Sequence, residues 1–223
     1  VYFKKAQHSI IKEFEATYDK LLANAVDGKP ATPADLYNLS RYYEMEHAIQ
    51  KELEKLGDKQ TAYLSKQFEN HYKEIYEKVS LPNSEKNFSL PDNKTVKQLI
   101  NEIWVDDGTS WSSRIWKNNQ MLYDRLNEHL LECIITGKKT SDLKQMLIND
   151  FGVSYHRANT LVRTEIAHIE TIASVNRYKD YGIKKFKILG RTEEDIGCKC
   201  KEENGKVYDL DVASTSINLP PFH

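Results

Sequence analysis

Apolar residues recur at three- and four-residue steps through most of the first 182 positions of this chain, and the step changes at Gly182. A step of that size gathers side chains on one face of an α-helix, so most of the chain can fold only as amphipathic helices buried along one stripe. Beyond Gly182, Ile183-Lys184-Lys185-Phe186-Lys187-Ile188-Leu189 alternates apolar residues with lysines around Phe186 and Ile188. That two-residue period belongs to a half-buried strand. The expected fold is mainly α, with a small C-terminal antiparallel β element.

Glycine and proline set the expected boundaries. Phe3, Ile10, Phe14, Tyr18, Leu21 and Ala25 form one helical stripe, which Gly28 and Pro30 end; Thr32-Pro33 starts a second. That second helix carries Leu36, Leu39, Tyr43, Ile49, Leu53 and Leu56 and is expected to stop at Gly57. Asp58 then caps a third, with Leu64, Phe68, Tyr72, Ile75 and Val79 inward. Short connections make these three an antiparallel helical arm over residues 1–80. Residues 81–93, with Pro82, Asn83, Ser84, Pro91 and Asp92, read as a linker.

A helical core is expected over 94–182. It holds a helix with Val96, Leu99, Ile100 and Ile103, the turn Asp107-Gly108, and a long helix with Ile115, Leu122, Leu126, Leu130 and Ile134. A short helix follows, capped at Thr140 or Ser141 and closed by Gly152. Ser154 caps the next, which contains Arg163-Thr164-Glu165 and ends at Gly182. Residues 183–223 form the β and cysteine-containing element, where Asn204-Gly205 is the pair favoured in a two-residue hairpin. Such a turn would set a strand holding Cys198 and Cys200 against Val207–Leu210, with Cys200 opposite Asp209.

With 223 residues, 39% hydrophobic and 29% charged, the chain is long enough to bury a sizeable core. No apolar run approaches the roughly 20 residues that span a bilayer, so no membrane segment is expected. The sequence starts at Val1 without the charged-then-apolar opening of a secretory signal, and it reads as a piece of a longer protein. Three cysteines make no disulfide framework and fit a reducing compartment. Cys133, among Leu130, Leu131, Ile134 and Ile135, is expected to be a small buried hydrophobe. A net charge of −1 argues against a surface that coats nucleic acid, so any basic site is local.

Three groups of residues could carry chemistry. On a strand, Cys198 and Cys200 would share a face with Cα atoms roughly 6.5–7 Å apart, too far for a comfortable disulfide. Together with His223 they offer three of the four ligands of a structural zinc; the other reading is two free thiols on a loop. On the Arg-Thr-Glu helix, Glu165 and His168 share one face, and Arg163 and Glu170 another. A metal bundle would need a second Glu–His pair, and none is visible, so an ion-paired helix face that fixes docking is expected instead. Lys184, Lys185, Lys187 and Arg191 form a short basic stripe. It is either a solvated strand face with edge-protecting lysines or an anchor for phosphates of DNA or RNA. No phosphate-cradling glycine loop, nucleophile elbow or paired-carboxylate site is present.

Taken together, Ser113-Arg114-Ile115-Trp116, then Leu161-Val162-Arg163-Thr164-Glu165, then Tyr178–Gly182, Cys198-Lys199-Cys200, Asn204-Gly205-Lys206 and Pro220-Pro221-Phe222-His223 resemble a known family. It is the minor head proteins of tailed bacteriophages, the head-morphogenesis family of phages of Gram-positive bacteria with relatives in phage Mu. The resemblance covers about residues 105–223. In that family the histidine is followed by Pro-Asn-Cys-Arg-Cys and the cysteines and histidine resemble a zinc cluster. This sequence stops at His223 and has one residue between its cysteines where many relatives have two. What the resemblance implies is a structural protein without enzymatic activity, taken in few copies into the procapsid with the portal. It would act in head assembly and in DNA packaging or ejection, inside the capsid of the virion after assembly in the host cytoplasm. Its implied partners are the portal protein, the scaffold or major capsid protein, and packaged DNA; zinc is the implied cofactor of the full-length protein. Two other classes remain: a DNA-binding protein acting through the lysine stripe, and a toxin-type enzyme of the kind joined to ADP-ribosyltransferase domains.

Overall fold

In a computed structural model of the chain, residues 1–23, 39–81, 89–136, 138–189, 199–215 and 217–221 are described. The protein is mainly helical, with a two-stranded antiparallel sheet near the C-terminus. In chain order the elements are α1 (Tyr2–Ala23), α2 (Leu39–Lys78), α3 (Asn93–Ile100), α4 (Trp111–Thr136), α5 (Thr140–Asp180), β1 (Lys185–Lys187), α6 (Lys199–Glu203) and β2 (Val207–Asp209). A 3₁₀ turn at Leu210–Val212 follows. No helix among the described residues is long and apolar enough to cross a membrane.

The chain divides into two compact units, Val1–Ala62 with Ser112–Thr160, and Tyr63–Trp111 with Leu161–His223. This division differs from the expected arm over 1–80, linker over 81–93, core over 94–182 and element over 183–223. Periodicity shows which face a helix buries and not what it buries it against. Here α1 and the first part of α2 belong with α4 and the start of α5.

The first unit is built largely around the stripes read from the sequence, but Tyr43, expected inward on α2, is 54% exposed, and Met45 joins the core instead. Ile10, Phe14 and Tyr18 of α1 meet Met45, Ile49, Leu53 and Leu56 of α2, Leu122, Leu126, Leu130 and Cys133 of α4, and Leu143, Leu147 and Phe151 of α5. Tyr18 is fully buried, and its hydroxyl donates toward the carbonyls of Cys133 (3.0 Å) and Lys138 (2.7 Å) where α4 ends. Burial, with Cys133 beside it, pushes the Tyr18 phenol up to about 12. Burial likewise raises the Cys133 thiol, as expected of a cysteine that serves as a hydrophobe. Two polar pairs lie in the same interior: Asn118 Nδ2 donates to the Ser154 carbonyl (3.1 Å) and hydroxyl (3.0 Å), and Asn119 Nδ2 donates to Gln60 Oε1 (3.2 Å).

Two helix ends expected at glycines are absent. The helices anticipated before and after Gly57 are one 40-residue helix, α2. A Cβ at Gly57 would lie 2.6 Å from ring carbons of Trp116, so glycine is required there by the closeness of the indole and not by a turn. The short helix and the Ser154-capped helix are likewise one 41-residue helix, α5, which runs through Gly152. Ser154 is buried inside it as the acceptor for Asn118.

In the second unit, buried Phe68 meets Trp111 edge to face at 5.3 Å, and the Trp111 indole donates to Asn101 Oδ1 (3.1 Å) just past α3. Asp92 caps α3 by accepting from the Thr95 amide (2.9 Å), which holds its carboxyl below the usual range. Arg177 of α5 is buried between the rings of Tyr76 (5.0 Å) and Tyr181 (4.8 Å), and its Nε donates to the Val79 carbonyl (3.3 Å). Tyr76 donates its hydroxyl to Asp180, and Asn176 donates to the Tyr72 hydroxyl (2.9 Å). Residues 63–79 are thereby fixed along the later part of α5 through polar tips of otherwise buried tyrosines.

The sheet is not the expected hairpin. β2 pairs with β1 in the register Lys185↔Asp209, Phe186↔Tyr208, Lys187↔Val207, so Asp209 faces Lys185 rather than Cys200. The segment expected as a strand through Cys200 is helical over Lys199–Glu203. Asn204-Gly205 closes that helical turn: Gly205, at φ 83°, donates its amide to the Ile188 carbonyl (2.8 Å), and Lys206 donates to Glu203 (3.2 Å). The same dipeptide serves both geometries because each needs a left-handed residue there.

The two helical glycines predict opposite outcomes. Replacing Gly152, where a Cβ meets nothing within 4 Å, by alanine should raise stability by about 0.5–1 kcal/mol, the usual helix-propensity gain. Gly57→Ala drives a methyl into the Trp116 ring and should instead lower stability by about 1 kcal/mol after the same gain is counted. Urea unfolding of both variants checks this; equal shifts of one sign would contradict the close contact at Gly57.

Candidate functional site

The Arg-Thr-Glu helix turns one polar face inward. Glu165 and His168, three residues apart on α5, are 1% and 3% exposed, against the rule that such groups stay in water unless partnered. Their partners come from two other segments. The Trp104 indole donates to Glu165 Oε2 (3.1 Å) and lies flat on the His168 ring, with centroids 4.4 Å apart and planes 10° off parallel. Thr215 Oγ1, also buried, is 2.8 Å from His168 Nδ1. One turn further along α5, the Thr171 hydroxyl lies 3.0 Å from both the Ala167 and the Pro220 carbonyls. Glu165, His168 and Thr171 therefore form a seat for the C-terminal segment, met at Thr215 and Pro220.

That C-terminal segment is itself a compact loop. The side chain of buried Asn218 accepts from the Ser214 amide (2.8 Å) and donates to the Val212 carbonyl (2.9 Å). The amides of Asn218 and Leu219 return to the Ser214 carbonyl at 3.1 and 3.0 Å. A side-chain amide that satisfies backbone groups at both ends of a turn replaces the ladder hydrogen bonds a strand would have supplied. Beside the seat, Thr171, Val175, Tyr178, Phe186, Leu219 and Pro220 line a shallow apolar groove.

The expected partners on this helix are rearranged. Glu165 and His168 share a face as anticipated. Arg163 is exposed and does not pair with Glu170; Glu170 instead accepts from His71 Nε2 on α2 at 2.9 Å. On this face the helix contacts the Trp104 indole through Glu165 and His168, and Arg163 takes no part.

The lysine stripe is exposed at Lys184, Lys185 and Lys187, while Phe186 stacks on Tyr208 with centroids 5.7 Å apart. Lys185 lies 3.8 Å from Asp209 across the sheet, which offsets part of its charge. Arg191 lies outside the described residues, as do Cys198, His223 and the side chain of Cys200. Among the described residues, no group of three or more His, Cys, Asp and Glu side chains is placed to hold a metal ion.

Trp104, Thr215 and Asn218 were not singled out by the sequence. Trp104 carried a usable signal: a tryptophan outside any helical stripe, beside Asp106-Asp107-Gly108, needs a partner for its N–H. The Ser214–Asn218 run of turn-forming residues announced a loop but not the surface it would meet. No protein-family model matches this chain, and neither a curated protein nor a solved structure is significantly similar to it.

Trp104→Phe keeps a ring over His168 and removes the donor to Glu165. The expected cost is about 1–3 kcal/mol in urea unfolding, the range for a buried group that loses a hydrogen bond. A change below about 0.5 kcal/mol would mean that Glu165 does not depend on the indole.

Proposed function

We propose that this chain is a structural minor head protein of a tailed bacteriophage, carried into the procapsid with the portal and retained inside the virion. The observation that carries the reading is the buried contact between its two most distinctive sequence features. The Arg163-Thr164-Glu165 helix and the segment leading to Pro220-Pro221 are 47 and 49 residues apart at their points of contact, His168–Thr215 and Thr171–Pro220. In the resemblance these parts are related only by order along the chain. Their meeting at one buried seat gives that order a structural reason.

The helical elements suit a protein that acts by binding. The portal protein is the first partner in this reading, with scaffold or major capsid protein next. Lys184, Lys185 and Lys187 would meet packaged DNA through charge alone. Zinc at Cys198, Cys200 and His223 belongs to the resemblance, and the reading does not depend on it.

The direct test is co-expression of the full chain with the portal protein encoded beside it, followed by affinity purification and size exclusion. The expected result is co-elution as a stable complex. A fragment lacking residues 1–92 is unsuitable, because it removes α1 and α2 from the core they share with α4 and α5. Separate elution of two folded proteins under assembly conditions would overturn the reading.

A further inference from the structure

On the first unit, α2 and α4 enclose a groove of about 270 Å³ whose lining has an unusual chemistry. Trp116 and Tyr123 supply aromatic surface, Glu54 a carboxylate, and Gln50, Asn119 and Gln120 side-chain amides. Among the described residues that line it there is no lysine, arginine or histidine.

Two details give this lining a direction. Trp116 is held by its ring edge over Gly57, yet is 39% exposed, so the indole is held in place with surface left uncovered. Carboxylates flank it: Glu54 lines the groove and accepts from Gln50 Nε2 at 2.9 Å, and Tyr123 donates its hydroxyl to Glu46 Oε1 at 2.9 Å.

A fixed indole face and an exposed carboxylate together ask for a flat cation rich in N–H groups. Guanidinium meets both demands: it stacks on an aromatic face and donates to a carboxylate through its planar fork. An alkylammonium satisfies the charge but is not planar, and a neutral amide satisfies the donors but not the charge. We propose that this groove is a binding site for an arginine side chain presented by a partner protein. The pocket chemistry is independent of the phage reading: a failed portal experiment leaves it standing, and the reverse also holds.

The test titrates the intact protein with Nα-acetyl-arginine methylamide, with putrescine, and with the neutral citrulline analogue, following the indole N–H resonances by NMR. The Trp116 signal is assigned by its loss in Trp116→Phe and independently by its proximity to Gly57. Expected is a saturable shift of that signal by the arginine compound, with a weaker response to putrescine and none to citrulline. Glu54→Gln, a conservative change at an exposed position, should weaken arginine binding by roughly threefold or more. No saturable shift up to about 50 mM, an equal response to citrulline, tighter binding of putrescine, or indifference to Glu54→Gln would each overturn the assignment.

Discussion

A carboxylate and an imidazole buried on the inner face of one helix are the constraint on which the second unit depends. Glu165 and His168 give up water, and only groups from elsewhere in the chain can compensate that loss. Trp104 does so for both at once, by a hydrogen bond to one and a flat ring contact with the other. Thr215 adds a hydroxyl to the imidazole. Segments on either side of α5 in sequence are thus tied to it by specific polar contacts. Apolar contacts would tolerate sliding; a buried hydrogen bond 2.8 Å long does not.

The first unit is held by a different balance. Its core is aliphatic and aromatic, drawn from four helices, and among the described residues its buried polar side chains, Gln60, Asn118, Asn119 and Ser154, are amides and a hydroxyl. Close approach there is set by Gly57, which lets the Trp116 ring lie against α2. Because that indole is fixed by packing and also reaches solvent, the same contact that shapes the core provides an aromatic wall for the groove outside it.

How much of this was legible in the sequence depended on whether the determining physics was local. Helix content, the inward stripes of α1, α4 and α5, the burial of Cys133 and the half-buried strand around Phe186 all follow from periodicity, which the chain carries at short range. Boundaries at Gly57 and Gly152 did not follow. A glycine within a helical pattern has the same local signature whether it ends the helix or admits a ring from another helix, and the deciding neighbour, Trp116, is far away in sequence. Asn204-Gly205 favours a left-handed turn, which by itself suggests a hairpin. It makes such a turn, but at the end of α6, and β2 takes β1 as its partner instead. The candidate site was half visible: Glu165 and His168 stood out as a shared face, whereas Trp104 and Thr215 are partners only through tertiary contact.

The buried cluster fixes the segment around Thr215 and Pro220 to α5 rather than leaving it merely resting nearby. Amide hydrogen exchange at Ser214, Asn218 and Leu219, in the native chain and in Thr215→Val, tests it most directly, because that change removes one hydroxyl and almost no volume. The account predicts slow exchange at these amides in the native protein and acceleration of about tenfold or more in the variant, with the interior of α4 unaffected. Unprotected amides in the native chain, or identical rates in the two proteins, would contradict it.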